Sequence, residues 1–230
     1  KEKTDWLADA NMLYSKIPSC RIMVFEYTSQ WFGKGAIDNK LENVANQLMQ
    51  ALVYNRPAVL AAKLHQNYYP NIFSSIVGCV FLGTPFRGTK SQAKASMFAE
   101  LASAVGLGIN SGLMKILEAG NEFLKDLLEQ FVSVARDAKI GLFCFWEQYE
   151  SDTAALLLKH TILGRSVFAQ EHVVEEDSAT ILGYNKSSLA SDHFQLNKFE
   201  GPKDGRYVAV SGEISTMVQK SRGIIKGRQN

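Results

Sequence analysis

Nowhere in this 230-residue sequence does an apolar run approach the roughly 20 residues that cross a bilayer, and no basic-then-apolar leader opens it. No integral membrane segment is predicted. Charge of one sign is also lacking: 25 Lys and Arg stand against 23 Asp and Glu, a formal net charge of +2, with the basic residues scattered along the chain. That leaves no electrostatic footprint for nucleic acid or an anionic surface, so neither is an expected partner. Cysteine is scarce. Cys20, Cys79 and Cys144 each lie in or beside apolar runs, which predicts buried structural thiols and a reducing, cytoplasmic setting. The four histidines, His65, His160, His172 and His193, show no metal-ligand spacing, and G-K-G at Gly33 to Gly35 lacks the spacing of a phosphate loop. No metal or cofactor is expected. Internal repeats and low-complexity tracts are absent, and so is any G-x-S-x-G string. The usual serine elbow between a strand and a helix is therefore excluded.

What is present reads as one globular domain, with 46% hydrophobic and 21% charged residues. Short apolar runs rich in β-branched and aromatic residues predict strands at Arg21 to Tyr27, Ile76 to Gly83, Lys139 to Trp146 and Ser166 to Val174. Between them, helical spacing predicts helices over Asp5 to Lys16, Asn39 to Tyr54, Ala58 to Gln66, Gln92 to Val105, Leu113 to Arg136 and Thr153 to Ile162. Two more helices, at Asp192 to Lys198 and Tyr207 to Gln219, follow the polar loop E-E-D-S-A-T. Strands separated by helices predict an α/β fold: a mainly parallel sheet of about four strands flanked by helices, with function at the strands' carboxyl ends. The domain is expected over residues 1–219, and the polar, glycine-containing stretch 220–230 reads as a tail or linker. Lys1 in place of an initiator Met predicts a trimmed chain.

One junction breaks the alternation. The helix ending near Tyr54 meets Asn55-Arg56-Pro57 and a second helical pattern without a strand between, so one strand of a doubly wound sheet is bypassed or absent. Other local readings concern loops. In V-G-C-V-F-L-G-T-P-F-R-G-T, Val77 to Thr89, Gly83 and Gly88 permit a tight turn after a buried strand, Arg87 is placed to pair with an acid, and Thr84 and Thr89 read as capping hydroxyls. Asp192 reads as the N-cap of the turn that carries His193.

Taken together, several segments bring a family into view. W-L-A-D (Trp6 to Asp9), K-I-P-S-C-R-I-M-V-F-E-Y (Lys16 to Tyr27), G-C-V-F-L-G-T-P-F-R-G-T (Gly78 to Thr89), F-W-E-Q (Phe145 to Gln148), D-S-A-T-I-L-G-Y (Asp177 to Tyr184) and A-S-D-H-F-Q-L-N-K-F (Ala190 to Phe199) occur in this order. They resemble the lipase-like serine esterase domains of filamentous fungi, α/β-hydrolases that stand N-terminal to NLR-like nucleotide-binding modules or to ankyrin or tetratricopeptide arrays. The resemblance spans nearly the whole chain. It implies a truncated α/β-hydrolase whose complete form hydrolyses an ester or lipid through a Ser-acid-His triad. Carried over to this sequence, it makes His193 the histidine, Glu147 the first choice of acid and Asp177 the runner-up.

The same resemblance marks departures. The family's H-G-L-G-type oxyanion loop before the W-L-x-D segment has no counterpart here, nor has its H-S-L-G-G elbow, which belongs where Arg56-Pro57 runs directly into Ala58. Phe86 stands where the family has His. Two origins stay open: a gene model that skips coding sequence, or a pseudoenzyme serving as a signalling or interaction module beside downstream nucleotide-binding or repeat domains. Either way, the chain is expected to lack serine acyl transfer.

Overall fold

A computed structural model describes residues 4–22, 59–60, 62–64, 66–67, 70–88, 120–152 and 170–229. Within them, two of the apolar runs become adjacent parallel strands, β1 (Gly78–Leu82) and β2 (Gly141–Glu147), with Gly78 opposite Gly141 and Leu82 opposite Phe145. A two-residue antiparallel ribbon follows, formed by β3 (Ser151–Asp152) and β4 (Gln170–Glu171). The third strand of the main sheet is β5 (Asn185–Leu189), parallel to β2, in the order β1-β2-β5. The architecture is thus mixed, a three-stranded parallel sheet flanked by helices.

The fourth predicted strand is corrected by this order. The sequence predicts a strand over Ser166 to Val174 and none over Asn185–Leu189, yet the strand beside β2 on the side away from β1 is Asn185–Leu189, and Gln170–Glu171 lies outside the main sheet. The physical reason is the composition of β5, which ends the sheet among the described residues: in N-K-S-S-L only Leu189 is buried, so the strand carries almost no apolar signal. Polar side chains suit a strand that, among the described residues, has β2 as its one neighbour in the sheet.

Alternation along β2 builds the core on both faces. Leu142 and Cys144 face one cluster with Phe81, Phe86, Leu128, Phe131 and Ala135. Phe143 and Phe145 face the other, with Met12, Leu189, Leu196, Phe199, Tyr207 and Val210. Successive side chains of a strand point to opposite faces, and an apolar run without polar alternation is what a doubly covered strand requires. On the first face, Phe81 meets Phe86 edge-on at 4.9 Å and Phe131 at 5.9 Å.

The helix Glu122–Asp137 covers that face. Its start is capped by Asn121, whose side chain accepts from Leu124 N, and Leu124, Leu128, Phe131 and Ala135 form one buried stripe. Its end folds over through Lys139 at φ 52, with Lys139 N donating to Arg136 O at 3.0 Å and Ile140 N to Ala135 O at 2.7 Å. This paired closure satisfies the last carbonyls and turns the chain straight into β2.

The opposite face is covered by the C-terminal helix, Gly205–Gln229. It passes so near β1 that a Cβ on Gly78 would run into Met217 Sδ. Residues 220–229, read from composition as tail or linker, continue this helix, and Arg228 Nη1 donates to Ser74 O at 3.0 Å and Ile76 O at 2.6 Å. Those carbonyls close the helix Pro70–Ser75 just before β1, so the last turn is tied to the sheet.

Other expectations fare variously. The predicted helix Asp192 to Lys198 shortens to one 3-10 turn, His193–Gln195, and Asp5 to Lys16 is turns followed by a helix at Leu13–Lys16. Within Ala58 to Gln66, residues 59–60 and 62–64 are helical, with Val59 and Ala62 buried. The helices Asn39 to Tyr54, Gln92 to Val105 and Thr153 to Ile162, most of the strand Arg21 to Tyr27, and the junction at Arg56-Pro57 lie outside the described residues. Among the described residues, no helix is long and apolar enough to cross a membrane.

Candidate active site

Because β1, β2 and β5 run parallel, their carboxyl ends meet at one edge, and three loops leave there. Gly83 N donates to Phe145 O at 2.8 Å, carrying the β1-β2 pairing one residue past the strand. Glu147 ends β2. Beyond β5, Ser191 and Asp192 lead into the 3-10 turn, and Asp192 caps it by accepting from Gln195 N at 3.0 Å. That turn begins with His193, so the end of β2 and the turn after β5 place Glu147 and His193 side by side.

The contact is direct. His193 Nδ1 lies 2.7 Å from Glu147 Oε2, while Glu147 Oε1 accepts from Val174 N at 2.9 Å. The Glu147 side chain is wholly buried and that of His193 is 26% exposed. A buried carboxylate is tolerated where donors fill its lone pairs, and here both oxygens are filled. His193 is held from a second side by its own backbone N–H, which donates to the buried Ser151 Oγ at 3.1 Å. Nε2 has no hydrogen-bond partner among the described residues. In a neutral imidazole, a carboxylate acceptor at Nδ1 favours the proton there and leaves the Nε2 lone pair as the acceptor. Chemically, this is an oriented proton acceptor at the mouth of a parallel sheet.

Asp177 is placed elsewhere. It sits exposed on the single helical turn Glu176–Ala179, where its backbone carbonyl takes the Arg87 guanidinium, which also donates to Thr180 O at 2.8 Å. Around it, Phe86 N donates to Ser178 O at 2.8 Å, Arg87 N to Ser178 Oγ at 3.2 Å, and Ser178 Oγ to Gly88 O. The segment D-S-A-T therefore clamps the loop P-F-R-G, and Phe86 is a fully buried core residue. Of the three candidate residues, the structure joins Glu147 to His193 and gives Asp177's segment a role in the clamp.

Sequence reasoning missed Ser151, Val174 and the packing of Gly83. Val174 contributes only a backbone N–H, and Ser151 belongs to no motif, so neither carried a signal. His172 is described just after β4; His65 and His160 lie outside the described residues. None of the three cysteines is in a disulfide; Cys144 is buried and Cys20 and Cys79 are half-buried, and burial pushes the Cys79 thiol up to about 11. Among the described residues there is no group of three or more His, Cys, Asp or Glu arranged to hold a metal ion. No protein-family model, curated protein or solved structure matches this chain.

Proposed function

We propose that the chain is a domain of the lipase or esterase lineage of α/β-hydrolases, with Glu147 and His193 as the acid and histidine of a Ser-acid-His system whose serine it lacks. The observation that carries this reading is the 2.7 Å contact between His193 Nδ1 and a buried carboxylate at the carboxyl ends of parallel strands. The resembled motifs add the substrate class: an ester or lipid, attacked by a serine in the complete form. The proposal includes a fourth parallel strand, Arg21 to Tyr27, beside β1.

The missing G-x-S-x-G favours a second reading of the chain as it stands, a non-catalytic signalling or interaction module coupled to nucleotide-binding or repeat domains. Residues of a triad act as a unit, so an acid and a histidine alone give a rate near background. The test is exposure of the purified chain to a fluorophosphonate probe and to short-chain nitrophenyl esters. No covalent labelling and no turnover are expected; stoichiometric labelling of any serine or threonine would overturn the assignment of a lost nucleophile.

A further inference from the structure

Gly83 follows β1 at φ +61, in the left-handed region that glycine enters without strain. A Cβ built there would lie 3.0 Å from His193 Cε1, 3.1 Å from His193 Nδ1 and 2.5 Å from Leu196 Cδ1. Carbon atoms at optimal packing stand about 3.5–4.0 Å apart, so both neighbours would have to yield. They differ in how far they can. Leu196 presents a methyl at the end of a flexible side chain. The His193 ring is held by Glu147 Oε2 at 2.7 Å, and its backbone by Ser151 Oγ at 3.1 Å. Glu147 cannot follow a moving ring freely, because Val174 N holds its other oxygen at 2.9 Å. Gly83 is fixed in turn through its N–H to Phe145 O at 2.8 Å.

We infer that Gly83 is a positioning residue for the Glu147–His193 pair: the space left by its absent Cβ is where the imidazole edge sits, and glycine there sets the direction of Nε2. The inference deepens the reading proposed above and rests on it for the use of the pair. Ring placement itself is measurable without any turnover. A side chain at position 83 displaces the ring from the carboxylate and frees the neutral imidazole to change tautomer.

Gly183 supplies the control, since it has φ +84 with nothing within 4 Å of an added Cβ. G83A and G183A therefore share the backbone strain, and only G83A presses on the ring. Long-range proton–nitrogen correlation spectra of the neutral imidazole are expected to show the Nδ1–H tautomer and a downfield Nδ1–H resonance in the unmodified chain and in G183A. G83A is expected to lose that resonance and to gain the Nε2–H pattern. Where G83A does not fold, G83A/L196A removes the 2.5 Å contact and leaves the ring contacts; it is expected to fold and to show the same loss. Retention of the Nδ1–H signal in folded G83A or G83A/L196A overturns the inference. So does its loss in G183A, or failure of the double variant to fold while L196A alone and G183A both fold. Covalent labelling by the fluorophosphonate probe would sink the lost-nucleophile reading and leave these spectra, and the role of Gly83, unchanged.

Discussion

Replacing Glu147 by Gln alters one oxygen and leaves the side chain's shape, which isolates the chemistry of the pair from its packing. The native carboxylate accepts twice, from Val174 N at 2.9 Å and from His193 Nδ1 at 2.7 Å. An amide has one acceptor oxygen for those two donors. With the oxygen toward Val174, the new NH2 faces Nδ1–H, a donor against a donor. The conflict is relieved only by moving the imidazole proton to Nε2, so that Nδ1 accepts from the amide. A charge-assisted bond of about 1.5–3 kcal/mol then becomes a neutral one of about 0.5–1.5 kcal/mol, a net loss of about 1–2 kcal/mol.

In a chain of 230 residues that loss lowers the thermal midpoint by roughly 2–8 °C. Glu147→Ala removes both acceptors and leaves Val174 N–H buried without a partner, so its cost is about 3–5 kcal/mol. Denaturant titration orders the variants, and proton–nitrogen spectra read the tautomer. An unmoved midpoint together with a retained Nδ1–H tautomer in Glu147→Gln would refute the hydrogen-bond reasoning, as would an Ala variant no less stable than Gln.

Among the described residues, Lys139 is the one non-glycine at positive φ; Lys139→Gly relieves that strain and is expected to stabilise by about 0.5–1 kcal/mol, read as a higher denaturant midpoint at unchanged slope. With its thiol pushed up to about 11 by burial, Cys79 is expected to resist alkylation at pH 8 until denaturant is added, which mass spectrometry of the labelled protein checks. Partial burial alone would raise the Asp204 carboxyl, but hydrogen bonds from the Arg206 side chain and from Glu200 N and Arg206 N outweigh it and lower its pKa. The stability this supplies is present above the ordinary Asp value of about 3.9 and is lost as pH falls through the lower folded value, so Asp204→Asn should destabilise at neutral pH and converge with the parent in strong acid.

The elements legible in the sequence are those that bury a stripe or a whole run. Glu122–Asp137 is legible in the helical spacing of Leu124, Leu128 and Phe131, although Phe123, which the same spacing turns inward, is exposed; β2 is legible in seven residues of which only Glu147 is charged. Asn185–Leu189 was not legible, because a strand at a sheet edge can take its order from backbone pairing while its side chains face water. The last turns of the C-terminal helix were hidden for a related reason. Gly223 and Gly227 lower intrinsic helix propensity, and what holds 220–229 helical is contact remote in sequence, above all Arg228 on the carbonyls of Ser74 and Ile76.

At the candidate site, segments that are far apart in sequence meet in space. F-L-G-T-P supplies a glycine against which the His193 ring lies, and the A-S-D-H block supplies that ring along with the Asp192 cap that starts its turn. D-S-A-T meets P-F-R-G through Ser178, whose hydroxyl, carbonyl and neighbouring carbonyls take up the loop's N–H groups and the Arg87 guanidinium. Asp177 is a candidate for its place after a predicted strand; in the structure its backbone carbonyl helps close the P-F-R-G loop. Glu147 is preferred for its place at the carboxyl end of a strand, and burial is what sets it apart from the exposed Asp177 in the structure. Glu147 is a carboxylate taken wholly out of water with Val174 N and His193 Nδ1 against its two oxygens, and removing either partner of such a buried group is costly. The residues that do the holding escaped notice because Val174 acts through its backbone and Ser151 through a single hydroxyl on a two-residue strand.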